Sequence, residues 1–279
     1  MCAVSITWVA EDGTETQLLA GVPVGTTGRG VPPVRVLAGR QPNRSGSVFA
    51  GTLHDVRRIS IPFELFQTAG VSDVRVGVRA WAKRLATMAG PGKLRCVTEV
   101  GDQREIEAWY VGGLQLVEVG NGAYQQATLE WDCPYPYWSD TADSTMSVTG
   151  TAPVSFFPLL TLSTSDLSSE VIADNTGDVE SFPIIQITGP AVAPSVRNVT
   201  TNEVLSLSGS VGAGEVVTLD ASIGAKTVLR QDGANLYSTL LDRGWFPLAK
   251  GQNVIRMSAT GTNSSTVLSL RWRRKWLTV

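Results

Sequence analysis

The sequence predicts a mainly β protein in two parts. A small α+β domain, an antiparallel sheet with one helix, is followed by an antiparallel β-sandwich. Three observations carry this reading. Ala127, Leu129, Trp131 and Cys133 alternate with Thr128, Glu130 and Asp132, the period of a half-buried strand. Residues 74–89 hold an apolar stripe at helical spacing. From residue 153 onward, short strand-like runs alternate with turn residues and no helical period appears.

The boundary between the parts follows from the end of that first strand. Pro134 and Pro136 each remove a backbone donor, so pairing in a sheet interior cannot continue. Seven of the thirteen residues from 139 to 151 are Ser or Thr, which reads as a polar joint. The expected division is therefore 1–138, a linker over 139–152, and 153–279. At 279 residues, each part is long enough to bury its own core.

In the first part, 4–9 and 17–19 read as a hairpin around Glu11-Asp12-Gly13. The segment 21–46 is so punctuated by glycine and proline that it reads as a long excursion outside the core. A strand over 56–61 is expected to end at Pro62. In the helix, Val74, Val78, Trp81, Leu85 and Met88 form the stripe; Ser72 caps its start and Gly90-Pro91-Gly92 stops it. Strands over 94–100, 104–111 and 114–119 follow, then the one ending at Cys133. In the second part, 182–188, 204–207, 215–219, 227–229, 253–259 and 266–277 read as strands. Leu268, Leu270 and Trp272 should point inward, with Ser269, Arg271 and Arg273 outward.

Composition narrows the chemistry. A net charge of −2 gives no global attraction to nucleic acid or to an anionic membrane. No signal peptide is read at the start, and no window approaches the ~18 apolar residues of a spanning helix. Three cysteines are too few and too scattered for a disulfide framework or zinc ribbon. Cys96 and Cys133 are expected as buried free thiols of a reducing compartment, a cross-strand bridge being the alternative.

The single histidine, His54, is expected as a surface or edge residue and leaves hydrolytic triads without a base. Glu130 and Asp132 share a strand face as paired carboxylates of a glycosidase would, but Thr128 shares it too, which favours a solvated polar face. Clusters at metal-ligand spacing and phosphate-binding loops are not found, since Gly25–Gly30 precedes Pro32-Pro33 rather than a helix. No catalytic, cofactor or metal residues are therefore assigned. Arg75, Arg79 and Lys83 recur at four-residue steps, either as a solvated face or facing an acidic neighbouring subunit. The RWRRKW run at 271–276 falls on strand alternation, which weighs against a nucleic-acid surface.

Taken in order, GRGVPP, RQPNRSG, RVGVRAWAKRLATMAGPGKL, EIEAWYVGGL, YQQATLEWDCPYPYW and then WFPLAKGQNVIRM and RWRRKWL resemble the distal tail (Dit) proteins of long-tailed phages. The resemblance spans nearly the whole chain. It implies a non-enzymatic component of the virion at the distal end of the tail, assembled in the host cytoplasm. The first domain would build a hexameric ring, and the second would be a galectin-like sandwich. The implied partners are further copies of the chain, the tail tube protein, a tail-associated fibre or hub protein and the tape-measure protein. Nucleic-acid specificity and membrane insertion are not implied. Gly28, Arg29, Gly30, Pro32 and Pro33 of the excursion, with Arg75, Arg79 and Lys83, are the candidate subunit-interface residues. The competing reading is a carbohydrate-binding or adhesion protein that stacks sugars on Trp138, Trp245 or Trp276.

Overall fold

A computed structural model describes residues 5–19, 25–40, 43, 45–66, 79, 80, 82, 83, 90–98, 101–113, 117–119, 124–150, 155–157, 160, 161 and 166–279. The chain forms two compact units. Unit 1 comprises Met1–Thr141 and Trp276–Val279, and unit 2 comprises Ala142–Lys275. Unit 2 is thus inserted, in chain order, just before the last four residues of unit 1.

Unit 1 opens with the expected hairpin, β1 (Ile6–Ala10) and β2 (Glu15–Leu19), turned at Gly13 with φ +83°. Next come β3 (Val34–Arg40) and β4 (Ser47–His54), which pair only with each other, and then β5 (Arg57–Phe66). The remaining strands are β6 (Pro91–Val97), β7 (Gln103–Gly112), β8 (Val117–Val119), β9 (Tyr124–Cys133) and β10 (Trp138–Asp140). The main sheet runs β2-β1-β6-β7-β10, with β9 pairing β7, β5 and β8. Its inner side is formed by the alternating residues Trp8, Ile59, Ile61, Leu94, Ile106, Leu129, Trp131 and their neighbours. Each such side chain contributes about 1.5–3 kcal/mol by leaving water.

Three expectations are corrected here. The strand at 56–61 does not stop at Pro62 but runs to Phe66. Ser60 exchanges backbone hydrogen bonds with Thr27, on the side of β5 away from β9. Pro62, two residues on, turns its donor-less nitrogen to that same side, where no ladder bond is lost. The excursion at 21–46 holds an ordered strand, β3, that glycine and proline counts obscured. The joint at 139–152 contains buried Ser139 and Asp140 and a strand, Ser144–Thr149. There Met146 and Val148 supply an inward alternation between the hydroxyl residues. The helix expected over 74–89 lies mostly outside the described residues; Arg79, Ala80, Ala82 and Lys83 are helical and exposed.

Unit 2 is a sandwich of antiparallel sheets. Its strands are β11 (Ser144–Thr149), β12 (Ser155–Phe157), β13 (Leu160–Thr161), β14 (Leu167–Asn175), β15 (Ile184–Thr188), β16 (Ala191–Asn198), β17 (Glu203–Leu207) and β18 (Ser210–Val211). They continue with β19 (Val216–Asp220), β20 (Thr227–Arg230), β21 (Leu240–Arg243), β22 (Gly251–Thr260) and β23 (Val267–Trp272). One sheet has the order β11-β23-β15-β19-β20 and the other β14-β22-β16-β17-β21. Leu268, Leu270 and Trp272 are buried between them as the alternation requires, and Arg271 is exposed.

Three wholly buried asparagines organise the loop before β22. Asn253 donates to the carbonyls of Ala249 (2.8 Å) and Gly251 (3.0 Å) and accepts from the Ala249 amide. Asn175 donates to the carbonyls of Val179 and Leu248. Loop carbonyls that would otherwise be buried without a donor are thereby satisfied.

Cys96 and Cys133 are buried free thiols in the core of unit 1. Burial pushes the Cys133 thiol up to about 12 and raises that of Cys96 too. A thiol in the unfolded chain titrates near ~8.5. Deprotonation is thus resisted only in the folded state, so the stability held below pH ~8.5 falls as the pH climbs toward 12. Urea midpoints measured from pH 8 to 11 should decline. Cys133→Ala should flatten that decline while starting from a lower midpoint; equal slopes would contradict the assignment.

Candidate functional site

The hairpin of β3 and β4 is an arm without a body beneath it. Every side chain of β3 and most of those of β4 are exposed, including Val34, Val36, Leu37, Val48, Phe49 and Leu53. Phe49 is 65% exposed and Val36 59%, so most of the surface of these large apolar groups stays in water in the monomer. A two-stranded hairpin is marginal by itself in water. The root of this arm is therefore where its placement is decided.

Arg57, the first residue of β5, builds that root. It lies in phase with Ile59 and Ile61 on the inner face and is 1% exposed. Its Nε donates to the Pro136 carbonyl at 2.7 Å. Nη1 donates to the carbonyls of Gly28 (2.7 Å) and Gly30 (2.5 Å), and Nη2 to that of Leu277 (2.8 Å). The Trp138 ring lies 6.0 Å from the guanidinium carbon. Burial lowers the Arg57 pKa to about 10, so the group stays charged at neutral pH. Neutral carbonyl dipoles, four of them, take the place of a carboxylate.

The arm leaves after Gly30 and returns at Arg57, so one side chain holds its departure while its own backbone is the return. The Asp55 amide donates to the Pro33 carbonyl at 2.8 Å and closes the gap. Gly28 has φ +83°, and a Cβ there would lie 2.1 Å from the Arg58 carbonyl oxygen, so only glycine fits. His54, at the end of β4, meets Tyr137 through Nδ1 and the phenolic oxygen at 2.8 Å, with the rings edge to face.

The C-terminal residues complete the root. Arg104 donates to the Thr278 carbonyl (2.6 Å) and lies over the Trp276 ring, 4.3 Å from its centroid. The Trp276 Nε1 donates to Asp140 at 2.7 Å. The Val279 amide donates to the Arg29 carbonyl.

The interface candidates read from sequence separate accordingly. Gly28, Arg29 and Gly30 gather at the clamp, Pro32 is buried beside them, and Pro33 closes the base. Arg79 and Lys83 are exposed, and Arg75 lies outside the described residues. Arg57, Pro136 and the C-terminal residues were missed. The available signal was an arginine in step with two buried isoleucines. Glu130 and Asp132 are both engaged by Arg58, at 3.7 and 2.7 Å, on an outer face. Of the sugar-stacking candidates, Trp138 is buried, Arg104 covers Trp276, and Trp245 is stacked on Tyr237. Among the described residues no group of three or more His, Cys, Asp or Glu is placed to hold a metal.

Arg57→Met should leave the four carbonyls without their donor and lower stability by about 3 kcal/mol or more in urea unfolding, since bonds to charged donors are worth ~1.5–3 kcal/mol each and are not additive. A loss under ~1 kcal/mol would show that the clamp does not hold the root.

Residues 176–276 match the family model described as siphovirus-type tail component, C-terminal domain. No curated protein matches the chain. Among solved structures it is similar to the Dit protein of phage SPP1, described as a paradigm of the hub adsorption apparatus in phages infecting Gram-positive hosts. The TM-score is 0.70 at 14% identity, over 98% of both chains. It is also similar to chains of the phage P2 baseplate in its activated conformation, with Ca (TM-score 0.53, 12% identity, 100% of both chains) and with Sr (0.51, 13%, 99% of both). The resemblance to the distal tail proteins is thus borne out: residues 176–276 match the family model of a siphovirus-type tail component C-terminal domain, within a chain that shares the SPP1 Dit fold along its length.

Proposed function

We propose that the protein is a structural component of a phage tail tip. Six copies form a hub ring that joins the tail tube to the tail-associated fibre or hub protein. Unit 1 builds the ring through its arm, and unit 2 is a galectin-like sandwich. The tape-measure protein is a further partner, and the assembled ring sits at the distal end of the virion after assembly in the host cytoplasm. The role is one of assembly, without catalysis.

The observation that carries this reading is the clamped arm. It has six large apolar side chains in water, on a hairpin whose root is fixed by Arg57. A monomer gains nothing from holding such an element out, whereas a neighbour gains an apolar surface to bury. Contacts between unlike patches of identical chains close into rings when the rotation permits. The likeness to proteins described as hub and baseplate components supports the same role.

Replacing residues 34–54 by a two-residue Gly-Asn turn keeps Gly28, Gly30, the Pro33–Asp55 bond and Arg57. Light scattering should report about six times 29.7 kDa for the full chain and one times its own mass for the trimmed protein, both with cooperative unfolding. A trimmed protein that assembles like the full chain would refute the arm's part.

A further inference from the structure

The chemistry of the arm specifies the surface that receives it. Residues directly opposite in an antiparallel pair share a face, so the register puts Val34, Val36 and Phe49 on one face and Leu37, Val48 and Leu53 on the other. Arg40 lies with the first set and Arg35 with the second, both exposed. Residues 31–54 contain Arg35, Arg40 and Arg44 and no Asp or Glu. The arm is therefore apolar and purely cationic. Arm-on-arm stacking would bring like charges together; an apolar surface edged with carboxylates would not.

Unit 1 itself carries such a surface. Glu107, Trp109 and Val111 alternate onto the outer face of β7, and all three are exposed. Pro91 lies directly across from Trp109. It also borders a shallow hollow whose rim includes Glu11 and Asp12, on the exposed β1–β2 turn. Among the described residues, Glu11, Asp12 and Glu107 form no ion pair, and neither do Arg35 and Arg40. Both members of a complementary pair are thus present on one chain.

We propose that the Phe49 face of the arm of one copy docks on the Glu107–Trp109–Val111 strip of the next, with Arg40 against Glu11, Asp12 and Glu107. This rests on assembly through the arm and adds the receiving surface. Arm and strip are different patches, so each copy gives one contact and receives one, as a closed ring requires.

Charge exchange tests it. Three variants are compared by light scattering at low salt: Arg40→Glu in the arm, Glu11→Lys/Asp12→Lys/Glu107→Lys at the strip, and the four together. The altered side chains are exposed, and a thermal melt of each verifies folding. Each set alone should weaken assembly at least tenfold in concentration, and the combined protein should regain it. A strip variant that assembles normally beside a monomeric arm variant overturns the strip while the arm reading stands. Normal assembly of both overturns the arm reading as well. In a separate protein, Phe49→Cys/Val111→Cys treated with a bismaleimide should give a ladder of linked copies; monomer bands alone would overturn the docking.

Discussion

A buried guanidinium with carbonyls for partners is the constraint on which the rest of unit 1 depends. Arg57 takes one carbonyl from the proline-rich segment after β9, two from the glycine loop and one from the C-terminal residues. Three segments remote in sequence are held by one planar group. A lysine could not replace it, because a single ammonium lacks the fixed fork that reaches in several directions. Removing the charge would leave the carbonyls buried and unpaired, which costs more than the bonds gain individually.

This arrangement separates two tasks that would otherwise conflict. The core of unit 1 closes around Trp8, Trp131 and the isoleucines without any help from the arm, and unit 2 packs a sandwich of its own. The arm is left free of both cores and yet is fixed in where it starts. Its exposed valines, leucines and phenylalanine are a liability for a lone molecule and an asset for a copy beside it. The C-terminal residues share the clamp, so unit 1 is complete only after the whole of unit 2 has been synthesised.

Much of this was legible in the sequence. Period-two alternation located β9 and β23 because each has one buried face, the condition under which that signal is strong. The turn at Glu11-Asp12-Gly13 was legible because glycine there needs positive φ. β3 and β4 were obscure for the opposite reason: apolar on both faces and covered on neither, they show no alternation, and nearby prolines suggest loop. β5 continued through Pro62 because edge strands tolerate it, which the sequence does not show. The clamp was half legible. Gly28 and Gly30 drew notice as glycines, whereas Arg57, next to Arg58 in the strand expected over 56–61, was given no role. Only its phase with Ile59 and Ile61 marks it as buried, and its partners are backbone groups that leave no trace in residue type.

In the proposed ring, a root fixed within each molecule presents an arm that is covered only by another copy. Hydrogen exchange measured across protein concentration tests it most directly. Amides of residues 34–40 and 47–54 should exchange slowly when the protein is concentrated and become fast on dilution. Those of residues 57–61 should stay slow throughout, since their protection comes from the fold of one chain. Arm amides that exchange equally fast at every concentration, or root amides that lose protection together with the arm, would contradict it.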